Sequence, residues 1–232
     1  MHLLIPAAGV GRRMGHHRNK LLMPLIDQSI LAWTLNAAAA ANQLAWIGII
    51  CQPIDKADIE QMVSQVISQS DLNVPIVLIQ GGDTRQESVY NGLQALPAEA
   101  THVLIHDGAR CLATSELFDR CAIAVRKTKG FIAAIRVKDT IKQVNDQGTI
   151  THTPDRSGLW AAQTPQGFEV DLLKQCHARG KQENWVVTDD AALLERCGVP
   201  VSIVEGEETN LKVTTPVDLA IAQFILQRRA GG

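Results

Sequence analysis

Residues 3–20 read LLIPAAGVGRRMGHHRNK, and the reading of this stretch decides the fold. Leu3 to Ile5 is a short apolar run that reads as a buried strand. It breaks at Pro6 into a loop carrying Gly9, Gly11 and Gly15 together with Arg12, Arg13, Arg18 and Lys20. Glycines let a backbone approach a bulky anion, outward-pointing amides bind it, and cations neutralise it, so the combination suits a polyphosphate. The spacing fits neither standard nucleotide loop. A dinucleotide fingerprint needs glycine at position 14, which is Met14, and a Walker loop needs Gly-Lys-Ser/Thr after four residues. The stretch therefore reads as a strand feeding a different kind of triphosphate loop, in which glycines such as Gly9 and Gly11 let the backbone approach the phosphates. The competing reading is a Gly-rich turn with solvated arginines.

Working outward, strands and helices alternate. Ser29 to Asn42 has helical spacing, Ala45 to Cys51 reads as a strand, Asp55 to Ser70 as an amphipathic helix and Val74 to Gln80 as a strand. Thr84 and Glu87 make a capping box for a helix to about Leu96. His102 to His106 is a strand, Ser115 to Lys127 a helix and Gly130 to Val137 a strand. This order predicts an α/β fold: a Rossmann-like, doubly wound and mostly parallel sheet with right-handed crossovers. Ligands sit at the carboxyl ends of such strands, so the loops after Ile5, Gln80 and His106 should converge. From Lys138 to Thr153, two polar β-branched segments around Asp146-Gln147-Gly148 predict a hairpin. Either it projects to pack on another subunit, or it is a surface excursion. The chain returns through Trp160 to Phe168, a helix near Glu169 to Arg179, a helix from about Thr188 to Cys197, a strand at Val201 to Glu205 and a helix from Pro216 to Arg229.

The 232 residues, 46% of them hydrophobic, form a single domain spanning 1–232 with a β arm at about 138–160. A net charge of -2 argues against non-specific nucleic-acid binding. Five widely spaced cysteines without a Cys-x-x-Cys pair suit a reduced, cytoplasmic protein. No signal segment or membrane-length apolar run is present, so no membrane partner is expected.

Asp107 follows the strand VLIH and puts a carboxylate at the sheet rim. Such an aspartate is either a turn residue or a metal ligand; opposite a triphosphate loop, Mg2+ between carboxylate and phosphates relieves the repulsion. In the second loop, Gly82, Asp83, Arg85 and Ser88 are candidates for nucleotide contact, and Asp83 could accept from an exocyclic amine such as that of cytosine. Asp139, Thr140, Arg156, Thr164, Thr188, Asp189 and Lys212 are hydroxyls and charges suited to a phosphorylated polyol. His16, His17, His152 and His177 have no ligand spacing and read as solvated.

Together PAAGVGRRMG with Lys20, GGDTRQESVYNGL, VLIHDGAR, VKDTIK, DRSGLWAAQTPQGF, TDDAALLE and EGEETNLKVTTPVDLAIA resemble, in order and over nearly the whole chain, the 2-C-methyl-D-erythritol 4-phosphate cytidylyltransferases of the non-mevalonate isoprenoid pathway. The resemblance implies a magnesium-dependent transfer from CTP to the polyol phosphate, releasing pyrophosphate, in a homodimer whose β arms complete each other's sites. It matches Arg13 and Lys20 to the transition-state cations, and Arg156 and Lys212 to the groups that orient the acceptor. Ala7, Ala8, Gly9, Gly82, Asp83 and Ser88 match the CTP contacts, Asp107 the metal aspartate, and Asp139, Thr140, Thr164 and Thr188 the acceptor's surroundings. Cys111 stands where the family often has proline. Thr209 stands where an acidic residue is frequent, with Glu208 the nearest substitute. Rival readings are a cytidylyltransferase for another polyol phosphate such as ribitol 5-phosphate, and a nucleotide-binding regulator without turnover.

Overall fold

The structure, a computed structural model, describes residues 1–9, 19–69 and 74–231. Strand β1 (His2–Pro6) opens the chain, followed by a short ribbon of β2 (Pro24–Leu25) and β3 (Gln28–Ser29) and by helix α1 (Ile30–Ala39). Next come β4 (Trp46–Cys51), α2 (Lys56–Gln69), β5 (Ile76–Gln80), α3 (Arg85–Gln94), β6 (His102–Ile105), α4 (Ser115–Val125) and β7 (Gly130–Arg136). The chain continues with β8 (Gln143–Val144), β9 (Ile150–His152), β10 (Trp160–Glu169), α5 (Val170–Gln182), α6 (Ala191–Arg196), β11 (Ser202–Glu205) and α7 (Pro216–Ala230).

Successive side chains of a strand leave on opposite faces, and the apolar runs here are buried on both. Leu3, Ile5, Ile47, Ile49 and Leu104 face one core with Leu35, Ile59, Phe118 and Leu226 from α1, α2, α4 and α7. Leu4, Ile50, Val103 and Ile105 face a second core with Leu93, Leu173 and Leu194 from α3, α5 and α6. Burying each such side chain is worth about 1.5–3 kcal/mol, so the two cores fix the strand registers.

The seven-stranded sheet has the order β11-β7-β10-β6-β1-β4-β5. β1 pairs parallel with β4 on one side and β6 on the other, and β4 pairs parallel with β5. The winding direction therefore reverses at β1, which opens a crevice beyond its carboxyl end. β10 runs antiparallel between β6 and β7 with an irregular register between Ala162 and Gln166, while β11 joins β7 in parallel. The expected α/β architecture is present, mostly parallel, with this one antiparallel insertion.

Capping residues act where the sequence put them. Thr84 with Glu87 closes a capping box on α3, and Thr215 with Asp218 does so on α7 behind Pro216. Some boundaries move: α1 ends at Ala39, not Asn42, α5 runs on to Gln182, and α6 starts at Ala191, not Thr188, because Asp189 accepts from the Ala192 amide and Asp190 turns inward. The hairpin forms with Gly148 at φ +77°, a left-handed value that glycine adopts without Cβ strain. Asn145 Oδ1 accepts from the amides of Gln147 (3.1 Å) and Thr149 (2.9 Å) and closes the turn. Every residue from 138 to 153 is exposed. No helix among the described residues is long and apolar enough to cross a membrane.

Candidate active site

The three expected loops do converge. At the end of β1, the Ala7 amide donates to Ile50 O (2.7 Å) and its carbonyl accepts from Asn19 Nδ2 (2.7 Å). Asn19 also donates to Asp55 (3.0 Å) and accepts from the Leu21 amide (3.1 Å), so one buried side chain staples the far end of the glycine loop to the strand it left. Gly11 and Arg13 fall in residues 10–18, outside the described residues.

The second rim follows β5. Ser88 Oγ accepts from the Gly82 amide (3.1 Å), Gln52 donates to Gly82 O (2.9 Å), and Glu87 accepts from the amides of Asp83 and Thr84. A Cβ on Gly82 would run into Glu87, so only glycine lets the loop lie flat on the helix start. Arg85 opens α3 with Nη2 2.7 Å from Asp190 Oδ2.

The third rim follows β6. Asp107 lies 2.7 Å from Lys212 Nζ. Burial favours its neutral form, but Lys212, Arg85 and Arg110 outweigh that and hold the carboxyl below the usual carboxylate range. The Val213 amide donates to Ala109 O (2.8 Å), and Lys20 Nζ donates to Val213 O (2.8 Å), so both lysines are fixed by the same short segment. Behind Asp107, Thr164 Oγ1 accepts from the Asp107 amide (2.9 Å) and lies 3.1 Å from His106 Nδ1. Burial pushes His106 down to about 4, leaving a neutral imidazole between Thr164 and Arg110 O. Arg110 itself is tied to the carbonyls of Asn210 (2.7 Å) and Ala162 (3.3 Å).

The result is a cleft of about 370 Å³ lined by Ala8, Gly9, Lys20, Gly82, Asp83, Arg85, Ser88, Asp107 and Lys212 among others. With Lys20, Arg85 and Lys212 on its wall, it can hold an anionic ligand. Ala7 is fully buried behind it. Thr164 faces inward, and its hydroxyl is engaged with Asp107 and His106. Asp139, Thr140 and Arg156 stand exposed on the arm, and Thr188 is exposed before α6; none of them lines this cleft. Glu208, the substitute carboxylate, pairs with Lys138. Thr209 Oγ1 accepts from Arg229 (3.1 Å).

Sequence reading missed Gln52 and Asn19, although Asn19 carries an N-cap signal before Lys20. It also placed His177 in solvent. His177 is buried on α5, where Leu173, Cys176 and Gly180 share its face at helical spacing, and its Nε2 lies 3.3 Å from Asp190 Oδ1. His152 is exposed as expected, and His16 and His17 lie outside the described residues.

The comparisons agree with this geometry. The sequence model of the 2-C-methyl-D-erythritol 4-phosphate cytidylyltransferase family matches residues 1–228. The protein of that name from Nostoc punctiforme is 65% identical over 99% of both chains, and that from Synechocystis sp. is 62% identical over 99% of this chain and 98% of its own. Among solved structures, 4-diphosphocytidyl-2C-methyl-D-erythritol synthase from Anaerococcus prevotii superposes with a TM-score of 0.84 at 30% identity, covering 98% of each chain. The cytidylyltransferase from Thermus thermophilus gives 0.76 at 29% identity, over 97% of this chain and 98% of that one. One family thus matches nearly the whole length in both sequence and structure: this chain belongs to the 2-C-methyl-D-erythritol 4-phosphate cytidylyltransferases.

Proposed function

We propose that this chain transfers the cytidylyl group of CTP to 2-C-methyl-D-erythritol 4-phosphate, giving 4-diphosphocytidyl-2-C-methyl-D-erythritol and pyrophosphate. The observation that carries the reading is the meeting of Lys20, Lys212, Asp107 and the Gly82 to Ser88 turn in one cleft at the sheet's switch point. The triphosphate lies against Ala8 and Gly9, with Gly11 assigned by sequence, and the base sits against Gly82, Asp83, Arg85 and Ser88.

A phosphate oxygen of the acceptor attacks the α-phosphorus of CTP, the new P–O bond forms in line, and the bond to pyrophosphate breaks. The attacker is already anionic, so no general base and no covalent intermediate are needed; positioning and charge set the barrier. Lys20, held on Val213 O, and Arg13, assigned by family resemblance, stabilise charge on the α-phosphoryl oxygens and the leaving group. Lys212 and Arg156 orient the acceptor, with Asp139, Thr140 and Thr188 around it. Thr164 supports this arrangement through Asp107.

Magnesium fits as a cation that arrives with the nucleotide. It binds through one or two carboxylates plus phosphate oxygens, and Asp107 offers one hard carboxylate on the cleft wall. Bound there, the ion would be held by Asp107 and would supply positive charge that offsets the charge of the phosphates.

The whole chain acts as one catalytic domain. Its arm, at 138–160, packs on a second copy and completes that copy's site. Supporting this are the exposed Ile141, Val144 and Ile150 on a hairpin too small to be stable by itself. The free cysteines fit a reducing cytoplasm. The test is pyrophosphate release by purified protein with magnesium, comparing CTP with ATP, GTP and UTP, and methylerythritol phosphate with ribitol 5-phosphate. Release only with CTP and methylerythritol phosphate is expected; none from that pair sinks the reading.

A further inference from the structure

Asp190 carries no role in the chemistry above, yet it is a carboxylate with 1% of its side chain exposed. Such a group is costly to bury unless it is paired. Its Oδ2 lies 2.7 Å from Arg85 Nη2, and its Oδ1 faces His177 Nε2 at 3.3 Å. His177 in turn lies against the Tyr90 ring, with centroids 5.9 Å apart. The cluster ties the first turn of α3, the buried face of α5 and the start of α6. Arg85 is its only member on the cleft wall, with 32% of its side chain exposed.

An arginine on a cleft wall loses rotamer freedom when it meets a ligand, and a guanidinium already held by one edge loses less. We propose that Asp190 is a positioning residue: from behind the cleft it fixes the Arg85 guanidinium, through the bond from Nη2 to its Oδ2, in the orientation that receives the nucleotide. This rests on the reading that the cleft takes CTP. Burial works against the charge of Asp190, but Arg85 and His177 outweigh it and hold its carboxyl below the usual range, which agrees with the geometry.

A double-mutant cycle tests the inference, with kcat, the KM for CTP and calorimetric CTP binding measured for Asp190→Asn, Arg85→Ala and the pair. Asp190→Asn should raise the CTP KM about tenfold with kcat within about threefold, and the pair should bind no more weakly than Arg85→Ala alone. A purely structural lesion would lower kcat and leave KM in place. An unchanged KM, or effects that multiply to about a hundredfold in the pair, overturns the proposal. Where Asp190→Asn does not fold, Arg85→Lys serves, since it keeps the charge but loses the planar fork. The same rise in KM is expected, and a KM at the parent value overturns the idea. Failure of the parent to turn over would strike the reaction assignment instead, while calorimetry with CTP would still decide this point.

Discussion

The cleft and the arm carry the same kinds of side chain, aspartate, threonine, lysine and arginine, but differ in what stands behind them. In the cleft the supporting bonds cross long stretches of chain: 57 positions from Asp107 to Thr164, 105 from Arg85 to Asp190 and 193 from Lys20 to Val213. In the arm the hydrogen bonds are local, 11 positions from Lys142 to Thr153 and 18 from Arg156 to Lys138, and the ion pair of Lys138 with the distant Glu208 lies exposed at the surface. Long-range bonds back each cleft residue with the packed sheet, which is what precise placement of a reacting group requires. Arm residues hold each other but present their charges to solvent. The difference teaches that the described cleft residues are held by the fold itself, whereas the arm is exposed along its length, as the proposed packing on a second copy would require.

The largest effect should come from the cleft. Lys20→Ala should lower turnover on the order of 10²-fold or more while the CTP KM stays close to the parent's, because the lost charge acts mainly in the transition state. Steady-state kinetics checks this, and turnover comparable to the parent would remove Lys20 from the chemistry. Arg156→Ala should cost about tenfold in kcat/KM, through the acceptor, without moving the thermal midpoint, since its side chain is exposed. The two variants sharpen the comparison when mixed. If the arm serves the neighbouring cleft, a mixed dimer has one intact site, so the mixture should exceed the activity of both variants together. Activity equal to their mean would return the arm to its own chain.

The first half of the molecule was legible because its strands are continuous apolar runs, and the site loops follow from them by topology. β10 was not. WAAQTPQGFE has polar residues and a proline where a central strand should be apolar, yet Gln163, Thr164 and Gln166 are all buried. Their partners, Asn210, Asp107 and Asp189, lie 47, 57 and 23 positions away, and no local pattern announces them. Asp190 and the burial of His177 were hidden for the same reason: the two meet from the start of α6 and from α5 only after the chain has folded. The hydrophobic pattern thus tells where the sheet lies, whereas the inward polar groups that hold the site are visible only in three dimensions.

The smallest expected effect on stability separates the two regions most cleanly. Ile150 is 59% exposed, on a strand whose one partner among the described residues is β8. Within one copy, Ile150→Ser removes little buried area, so it should change stability by less than about 0.5 kcal/mol. If Ile141, Val144 and Ile150 are instead covered by a second copy, the same substitution puts a hydroxyl into an apolar contact and weakens association, an effect that mass action makes concentration-dependent. Analytical ultracentrifugation should therefore show the variant dissociating at a higher protein concentration than the parent. Where both are dissociated, their thermal midpoints should coincide. A midpoint drop that persists in the dilute, dissociated protein would mean that Ile150 supports its own chain, and the contrast between a self-sufficient cleft and a dependent arm would fail.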